Sequence, residues 1–287
     1  MTLDELNPRT LSAERVERYL KRHGLKANKG RSQNHLVDGH ILEQIVALAE
    51  VTPGRRVLEI GPGLGILTGA LLDAGAAVVA VEVDSRLVGH LGMRFEGVEE
   101  GRFRLVEGNV LDVPLEDLVS APFDVVANLP YHITSPVMHT ILGGELRPER
   151  FVLMVQREVA ERIAAPPGDM SYLSVFVQYH AAVRVALRVP AHAFEPAPAV
   201  ESAVLVGEVQ PRRLAAADED QLWRLVQAGF RERRKMLHNV LPRQLPQVGR
   251  DRFSAAMAKV GIEADRRPQT LSVEEWLALA DAVGDFE

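Results

Sequence analysis

The sequence predicts an α/β protein with a doubly wound, mostly parallel sheet, followed by a small all-helical C-terminal domain. Apolar runs rich in β-branched residues alternate with amphipathic stretches from residue 55 to residue 165, which is typical of a parallel sheet with helices on both faces. Two further strand-like runs, 183–190 and 202–209, are expected to close the sheet as an antiparallel pair. No strand-like run follows residue 209, so we place the two domains at 1–208 and 209–287.

Local signals justify the individual elements. Ser12 is a good N-cap for the amphipathic run 12–23, and Gly24 is a good stop signal for that helix. A second helix, 40–50, ends at the Thr-Pro-Gly sequence that follows it. Periodicity then predicts strands at 55–61, 77–84, 103–109, 124–128 and 150–156, and helices at 66–75, 85–95, 135–143, 157–165, 171–181, 218–245, 251–262 and 272–284.

The composition excludes several classes of function. The chain has 287 residues and a net charge of −6, so a nucleic-acid site must come from local clustering of Lys and Arg. It contains no cysteine, which excludes disulfides, cysteine-ligated zinc and thiol nucleophiles. We expect no metal site, because there is no cysteine and the nine histidines show no metal-ligand spacing. We expect a cytoplasmic protein, because no apolar stretch is long enough to cross a bilayer and the first residues lack a signal-peptide pattern.

A glycine loop lies between a predicted strand and a predicted helix in the stretch Val57–Gly69. Gly61 and Gly63 allow a tight turn and let a ligand approach the backbone closely. The third glycine is Gly65, one position earlier than in the dinucleotide-binding fingerprint. The loop by itself is weak evidence, since an ordinary strand-to-helix turn can have the same glycines.

Two acidic residues make nucleoside binding the better interpretation of this loop. Glu82 ends the next predicted strand, where a carboxylate can accept hydrogen bonds from ribose hydroxyls. NAD and S-adenosylmethionine both stay candidates on this evidence. Glu59, before the G-x-G-x-G pattern, favours S-adenosylmethionine and therefore a Rossmann-like methyltransferase fold.

The sequence Asn128-Leu129-Pro130-Tyr131 follows a predicted buried strand, at the same edge of the sheet. The exocyclic amine of adenine is a poor nucleophile, because its lone pair is delocalised into the ring. The Asn128 side-chain oxygen and an adjacent backbone carbonyl, of Leu129 or Pro130, can bind the amine hydrogens and localise that pair. Pro130 fixes the turn, and Tyr131 offers a flat surface on which a base can stack. Catalysis here would be mainly a matter of positioning.

Six segments together resemble the RNA adenine N6-dimethyltransferase family, and within it the KsgA-type dimethyltransferases of small-subunit ribosomal RNA. Their joint occurrence, in order and across roughly residues 28–241, is highly specific. They are the segment resembling Gly-Gln-Asn-Phe-Leu (32–38), the donor loop (58–68), the catalytic motif (128–134), the strand and helix after it (154–163), the Phe-x-Pro-x-Pro-x-Val-x-Ser-x-Val segment (193–205) and a basic C-terminal helix (228–241).

The resemblance implies roles for residues at matching positions. The target adenine would be held by Asn128, Leu129, Pro130 and Tyr131, with Phe194 stacking on its opposite face, and the base must be flipped or already unpaired. The methyl donor S-adenosylmethionine would be bound by Gln33, Asn34, Leu36, Gly61, Gly63, Glu82, Asn109 and Asn128.

Three positions depart from the family pattern. Ser32 replaces the usual Gly, and His35 replaces the usual aromatic residue, in the segment that covers the donor. Asn109 replaces the usual Asp that faces the donor's adenine. Asn can still accept a hydrogen bond from an exocyclic amine, but it carries no charge.

Two basic clusters stand out in a chain of negative net charge. The C-terminal cluster is expected to bind RNA through Arg231, Arg233, Arg234 and Lys235. A second cluster near the N-terminus contains Lys21, Arg22, Lys26, Lys29 and Arg31. Charge runs are often merely solvated, but both clusters flank motif segments, which favours RNA.

The resemblance therefore implies dimethylation of the N6 amines of two adjacent adenosines in the 3′-terminal hairpin of small-subunit rRNA, with a role in ribosome biogenesis. The substrate is expected to be a pre-assembled 30S particle, and the protein a monomer. The alternatives are a 23S rRNA methyltransferase of the macrolide-resistance type and a non-catalytic RNA-binding assembly factor. The glycine spacing disfavours an oxidoreductase, and the lack of cysteine disfavours a zinc deaminase.

Overall fold

The computed structural model describes residues 6–7, 10–25 and 34–286. The chain divides into two compact units: Met1–Ala160 with Val183–Val209, and Glu161–Ala182 with Gln210–Glu287. The nine strands of the described residues are β1 (His35–Leu36), β2 (Arg56–Ile60), β3 (Ala77–Glu82), β4 (Phe103–Glu107), β5 (Asp124–Asn128), β6 (Arg150–Gln156), β7 (Ala181–Val189), β8 (Phe194–Glu195) and β9 (Ser202–Val209).

The α-helices match the predicted periodicity with two differences: a short helix that was not predicted, Leu115–Leu118, and two helices in place of the single helix predicted at 218–245. Among the residues described, they are α1 (Ala13–Arg22), α2 (Gly39–Ala49), α3 (Ile66–Asp73), α4 (Ser85–Arg94), α5 (Leu115–Leu118), α6 (Thr134–Gly143), α7 (Arg157–Ile163), α8 (Tyr172–His180), α9 (Ala216–Phe230), α10 (Leu237–Gln244), α11 (Arg250–Lys259) and α12 (Val273–Val283). None of these helices has the length and apolarity that a membrane crossing needs.

The first unit contains a seven-stranded sheet in the order β4-β3-β2-β5-β6-β9-β7. The pairs β2–β3, β3–β4, β2–β5 and β5–β6 are parallel, and β9 is antiparallel to β6. The chain therefore builds outward from β2 in one direction and then returns to add β5 on its other side. The predicted doubly wound fold is confirmed, and its topological switch point lies between β2 and β5.

Burial explains why this order forms. The central strands are apolar on both faces, as Val57, Leu58, Val125 and Val126 are almost fully buried. Strands of this kind need a helical layer on each side, which the intervening helices supply. The strand ends are held by ion pairs, such as Arg55 at the start of β2 with the carboxylate of Asp124, at 2.5 Å.

Helix caps occur where the sequence predicted them. Ser12 is the N-cap of α1 and accepts a hydrogen bond from the backbone N–H of Arg15. Gly24 follows α1 with φ of +63°, a conformation that suits glycine. Asp38, whose role as a cap was not predicted, accepts from the N–H groups of His40 and Ile41 at the start of α2.

The second unit consists of helices packed around its own apolar core, which includes Leu225, Phe253 and Trp276. Tyr179 is buried in the same core and donates a hydrogen bond to the carboxylate of Glu219, at 2.9 Å. This unit includes residues 161–182 as well as the C-terminal helices. The domain limits 1–208 and 209–287 stay a prediction.

The basic segment does not form the continuous helix that was predicted for it. Helix α9 ends at Phe230, residues 231–235 form a turn, and α10 begins only at Leu237. In one helix, Arg231 would lie three and four positions from Arg234 and Lys235, and like charges at these spacings repel. At the end of α9 the same cations instead lie beside the negative pole of the helix dipole.

A substitution in β9 tests the packing of the sheet. Gly207 lies opposite Phe151 on β6, and an added Cβ would come 2.1 Å from the Phe151 ring. Because that ring is fully buried, we expect Gly207→Ala to lower the free energy of unfolding by roughly 2–3 kcal/mol in chemical denaturation. The control is Gly89→Ala on α4, where nothing lies within 4 Å and alanine should be neutral or stabilising. Equal stabilities for the two variants would contradict this packing.

Candidate active site

The glycine loop leaves β2 at the switch point and leads directly into α3. Gly61, Gly63 and Gly65 all have positive φ, at +68°, +59° and +75°. At Gly65 an added Cβ would also lie 2.7 Å from the Phe95 ring and 2.8 Å from Leu91. Both the conformation and the space therefore require glycine, and the backbone of the loop lines the cavity that opens there.

Glu82 ends β3 beside this loop, and its carboxylate is held by backbone groups. Oε1 accepts hydrogen bonds from the N–H groups of Val83 and Asp84, both at 2.9 Å. Oε2 accepts from the N–H of Gly63 in the glycine loop, at 3.2 Å. The side chain is 5% exposed and lines the cavity, so a fixed carboxylate with further lone pairs faces any ligand bound there.

Glu59 lies deeper in the same cavity and is almost completely buried. Its Oε2 accepts a hydrogen bond from the hydroxyl of Thr68 on α3, at 2.6 Å. Burial is the main influence on this carboxyl group and raises the pKa of Glu59 to about 8. Glu59 is therefore largely protonated at neutral pH when no ligand is bound.

Asn128 is the last residue of β5, next to the glycine loop. Its amide Nδ2 donates a hydrogen bond to the backbone carbonyl of Asn34, at 3.4 Å. This bond fixes the side chain and leaves Oδ1, the acceptor, without a partner among the described residues. The role predicted for Asn128, which is to accept a hydrogen bond from the adenine amine, requires such a free acceptor at this edge of the sheet.

The two backbone carbonyls after Asn128 are not equivalent. The carbonyl of Pro130 accepts a hydrogen bond from the N–H of Ile133, at 3.1 Å, in the short 3₁₀ turn that begins there. Leu129 donates its N–H to the carbonyl of Met154, at 3.0 Å, while its own carbonyl accepts no hydrogen bond from the described residues. Of the two predicted acceptors, the structure therefore favours the carbonyl of Leu129.

Tyr131 stands in the 3₁₀ turn after Pro130, half-buried and at the edge of the cavity. Its hydroxyl is 2.9 Å from the hydroxyl of Ser202, which is completely buried at the start of β9. Burial raises the pKa of Tyr131 above its ordinary value, so the phenol stays neutral. The hydrogen bond fixes the orientation of the ring.

A two-stranded sheet joins two segments that are distant in the sequence. β1 pairs with β8 so that Leu36 lies opposite Phe194 and His35 opposite Glu195. The N–H of Val37 also donates to the carbonyl of Ala193, at 2.8 Å. The segment expected to cover the donor and the segment expected to stack on the base are thus directly connected.

One cavity collects the predicted site residues of the first unit. Only Gln33 cannot be placed, because it lies outside the described residues. The predicted residues that line the cavity are Asn34, Leu36, Gly61, Gly63, Glu82, Asn109, Asn128, Leu129, Pro130, Tyr131 and Phe194.

Comparison with known proteins identifies the family to which this chain belongs. A model of the ribosomal RNA adenine dimethylase family matches residues 24–283. The chain belongs to this family. Ribosomal RNA small subunit methyltransferase A of Geobacter metallireducens is 40% identical over 271 residues, which cover 92% of this chain and 98% of that protein. The protein of the same name from Thermosynechococcus vestitus is 41% identical over 272 residues, which cover 92% and 99% of the two chains.

Solved structures resemble the dimethylase in fold. A dimethyladenosine transferase from Plasmodium falciparum superimposes with a TM-score of 0.73 over 84% of this chain and 94% of its own, at 24% identity, which shows the shared fold alone. The 23S rRNA methyltransferase ErmE superimposes with a TM-score of 0.70 over 87% and 99% of the two chains, at 27% identity. The predicted Rossmann-like methyltransferase fold is confirmed.

The cavity of this dimethylase fits S-adenosylmethionine, the methyl donor of the enzyme. The three glycines leave the loop backbone open to a ligand, and the carboxylate of Glu82 is fixed beside it, with lone pairs that could accept from hydroxyl groups. Because Glu59 is largely protonated, it does not add a second fixed negative charge beside the carboxylate of Glu82.

Asn109, the departure from the family pattern, has a side chain that is already engaged. Its Nδ2 donates to the carboxylate of Asp112 at 2.8 Å, and its Oδ1 accepts from the N–H of Leu111 at 3.2 Å. Oδ1 keeps a second lone pair for an exocyclic amine. Asp112 thus contacts Asn109, and the contact of Asn109 with the donor stays a prediction.

Sequence reasoning missed several residues of the site of this dimethylase. Thr68 and Ser202 fix Glu59 and Tyr131, and both stand inside segments that had been recognised for other residues. Val83, an apolar residue that is 52% exposed, lines the cavity directly after Glu82. A hydrophobic residue directly after Glu82, the acid predicted to bind ribose, was a usable signal, whereas the two hydroxyl contacts depend on tertiary structure.

The protonation of Glu59 can be tested through the stability of the cofactor-free enzyme. Between the ordinary pKa of 4.5 and about 8, the folded chain keeps a proton that the unfolded chain releases, so the free energy of unfolding falls as the pH rises through this interval. Glu59→Gln removes this dependence. We expect the variant to gain stability relative to the wild type on going from about pH 5 to about pH 8, measured by urea denaturation. A difference that does not change with pH would mean that Glu59 titrates normally.

Proposed function

We propose that this rRNA adenine dimethyltransferase modifies the N6 amines of two adjacent adenosines in the 3′-terminal hairpin of small-subunit rRNA. We further propose that it acts as a monomer on a pre-assembled 30S particle and has a role in its biogenesis. The observation that carries the proposal is the position of Asn128 and the Leu129 carbonyl, in one cavity with the glycine loop and Glu82. The small-subunit relatives, at about 40% identity over most of the chain, support the substrate.

The residues of the cavity divide between the donor and the target base. The donor is held by the backbone around Gly61 and Gly63, by Glu82 and by residues 34–36. It supplies a methyl group on a positively charged sulfur, which needs no metal and no covalent nucleophile. Asn109, which lines the cavity, completes the proposed donor site. Gln33, which lies outside the described residues, is added on the basis of the resemblance alone.

The acceptors act on the adenine amine. Asn128 Oδ1 and the Leu129 carbonyl accept its two hydrogens and so keep the nitrogen lone pair out of the ring. When the new N–C bond forms, the bond from the methyl carbon to sulfur would break, its electron pair would stay on the sulfur of S-adenosylhomocysteine, and the methylated nitrogen would release one hydrogen to solvent as a proton. Pro130 contributes through geometry, since its own carbonyl is already bonded to Ile133.

Two aromatic residues are proposed to clamp the base. Tyr131 presents a ring whose hydroxyl is anchored to Ser202, and Phe194 is 2% exposed in the wall of the same cavity. Stacking between flat surfaces tolerates no large tilt, so an anchored tyrosine is better preorganised than a freely rotating one. The target adenosine must leave its stack to enter.

RNA binding outside the cavity is proposed for the turn between α9 and α10. Arg231, Arg233, Arg234 and Lys235 are all exposed there. Arg231 donates to Gln244 at 3.1 Å and Arg233 to the carbonyl of Asp169 at 3.5 Å. The side chains of Arg234 and Lys235 have no partner among the described residues, so they are available for phosphate groups.

A large-subunit target is the second candidate, because the fold of a 23S rRNA methyltransferase matches with a TM-score of 0.70. The identity to that protein is 27%, compared with 40–42% for several small-subunit enzymes, which favours the small subunit.

The decisive experiment is methyl transfer from labelled S-adenosylmethionine to unmodified ribosomal material. Small subunits, free small-subunit rRNA and 23S rRNA are offered separately, and labelled nucleosides are mapped. We expect dimethyladenosine at two adjacent positions near the 3′ end in the small subunit. Label only in 23S rRNA would overturn the assignment, and label in none of the three would overturn the activity.

Replacement of the side-chain acceptor tests the catalytic role of Asn128. Asn128→Ala removes Oδ1, and we expect methyl transfer to fall by at least about 100-fold, as for loss of one preorganised hydrogen-bonding group in other active sites. Affinity for RNA should stay within about three-fold, because base contacts within the cavity are a small part of RNA binding. Single-turnover rates and filter binding on the same preparations measure both. Wild-type rates in the variant would exclude this role.

Charge reversal tests the basic turn. In Arg234→Glu/Lys235→Glu, we expect RNA affinity to fall roughly ten-fold and the dependence of log affinity on log salt to become shallower, since fewer counterions are released. The matched control is Lys259→Glu/Arg267→Glu, two exposed residues of the same unit outside the turn, which changes the net charge equally. If both double variants lose the same affinity, the effect reports net charge and the turn is not an RNA contact.

A further inference from the structure

His35 is a buried polar side chain in the wall of the donor cavity. It is 7% exposed, and it lies between Asn34 and Leu36, which line the cavity as well. The Nδ1–Cε1 edge of its ring faces the glycine loop: an added Cβ at Gly63 would lie 3.7 Å from Nδ1 and 3.9 Å from Cε1. The imidazole is thus aimed at the backbone that cradles the ligand.

This imidazole makes no hydrogen bond within the described part of the chain. Neither ring nitrogen is among the fully buried, unpaired atoms of the described residues, so the donor and the acceptor of the ring are accessible from the cavity. In the same cavity the carboxylate of Glu82 accepts from three backbone N–H groups. The His35 ring instead resembles Asn128 Oδ1 and the Leu129 carbonyl, the proposed acceptors for the adenine amine, which also have no hydrogen-bond partner among the described residues.

Packing alone does not account for a histidine at this position. An apolar aromatic ring would fill the same space without losing hydrogen bonds to water, and the family pattern has an aromatic residue here. The strand pairing of His35 with Glu195 uses only backbone groups. What the imidazole adds is one donor and one acceptor, pointing into a cavity built for a polar ligand.

We infer that His35 is a donor-binding residue of this enzyme, whose imidazole hydrogen-bonds an oxygen of the bound S-adenosylmethionine. The inference rests on the proposed function of the cavity. The oxygen belongs either to a ribose hydroxyl or to the amino-acid carboxylate, and both offer the same chemistry to a ring nitrogen. The ribose is close by, since the N–H of Gly63, which the ring faces, donates to Glu82 at 3.2 Å.

The charge of the ring is compatible with this role. Burial lowers the pKa of His35 to about 4, so the imidazole is neutral under physiological conditions. A neutral ring does not repel the positively charged sulfur of the donor, and it retains both of its hydrogen-bonding functions.

Binding of S-adenosylhomocysteine and of 5′-methylthioadenosine tests the inference without catalysis. The first ligand carries both the ribose and the carboxylate, and the second carries only the ribose. For His35→Phe we expect roughly ten-fold weaker binding of S-adenosylhomocysteine by calorimetry, the loss of about one hydrogen bond. His35→Gln, which keeps a donor and an acceptor, should recover part of this loss. His139→Phe, a half-buried histidine on α6 outside the cavity, should bind like the wild type.

The comparison of ligands identifies the oxygen. If methylthioadenosine loses the same factor in His35→Phe, the partner is a ribose hydroxyl, and if it loses nothing, the partner is the carboxylate. A ¹⁵N-histidine NMR spectrum should show one imidazole shifting on ligand addition, and this signal should be missing in His35→Phe. Unchanged or tighter binding of S-adenosylhomocysteine to a folded His35→Phe would overturn the inference. Failure of the wild type to bind either ligand would instead overturn the proposed function of the cavity.

Discussion

The parallel pairing of β2 with β5 is the constraint on which the site depends. Val57 lies opposite Asp124, and Glu59 lies opposite Val126, so the two strands end at the same edge of the sheet. The chain reaches β5 only after building β3 and β4 on the far side of β2, which leaves the gap between the carboxyl ends of β2 and β5 uncovered by a crossover connection. A shift of one residue in this register would move every side chain of β5 to the opposite face and separate Asn128 from the glycine loop.

Most of the fold and much of the site could be predicted from the sequence, because their causes are local. Periodicity gives strands and helices, positive φ requires the glycines, and the polar residues at strand ends share one edge of the sheet. The contacts between distant segments could not be predicted. The hydroxyl pair of Tyr131 and Ser202 and the two-stranded sheet of β1 with β8 depend on how loops fold back, and no periodicity encodes that. The break between α9 and α10 could not be predicted from periodicity, because the helical pattern continues through the basic segment and does not register the repulsion among its charges.

The electrostatics of the cavity suit a ligand that brings its own positive charge. Four ionisable side chains line it: Glu82 at the glycine loop, and Glu59, His35 and Tyr131, which burial keeps mostly neutral when no ligand is present. Charged groups deep in a protein need partners or they lose their charge. When a cation binds in such a cavity, the neutral acid and base can change their protonation states. Groups whose charges are already paired can do so less readily.

The short sheet formed by β1 and β8 has a thermodynamic consequence. Leu36, proposed to contact the donor, and Phe194, proposed to stack on the base, are opposite each other in one pair of strands, so a shift of one segment must move the other or break the pairing. A donor that favours the paired arrangement therefore also favours the position of Phe194 that a base requires. Linkage is reciprocal, so an adenine seated against Phe194 must strengthen donor binding by the same factor. If Leu36 and Phe194 have the roles proposed for them, this short sheet would couple the binding of the two substrates.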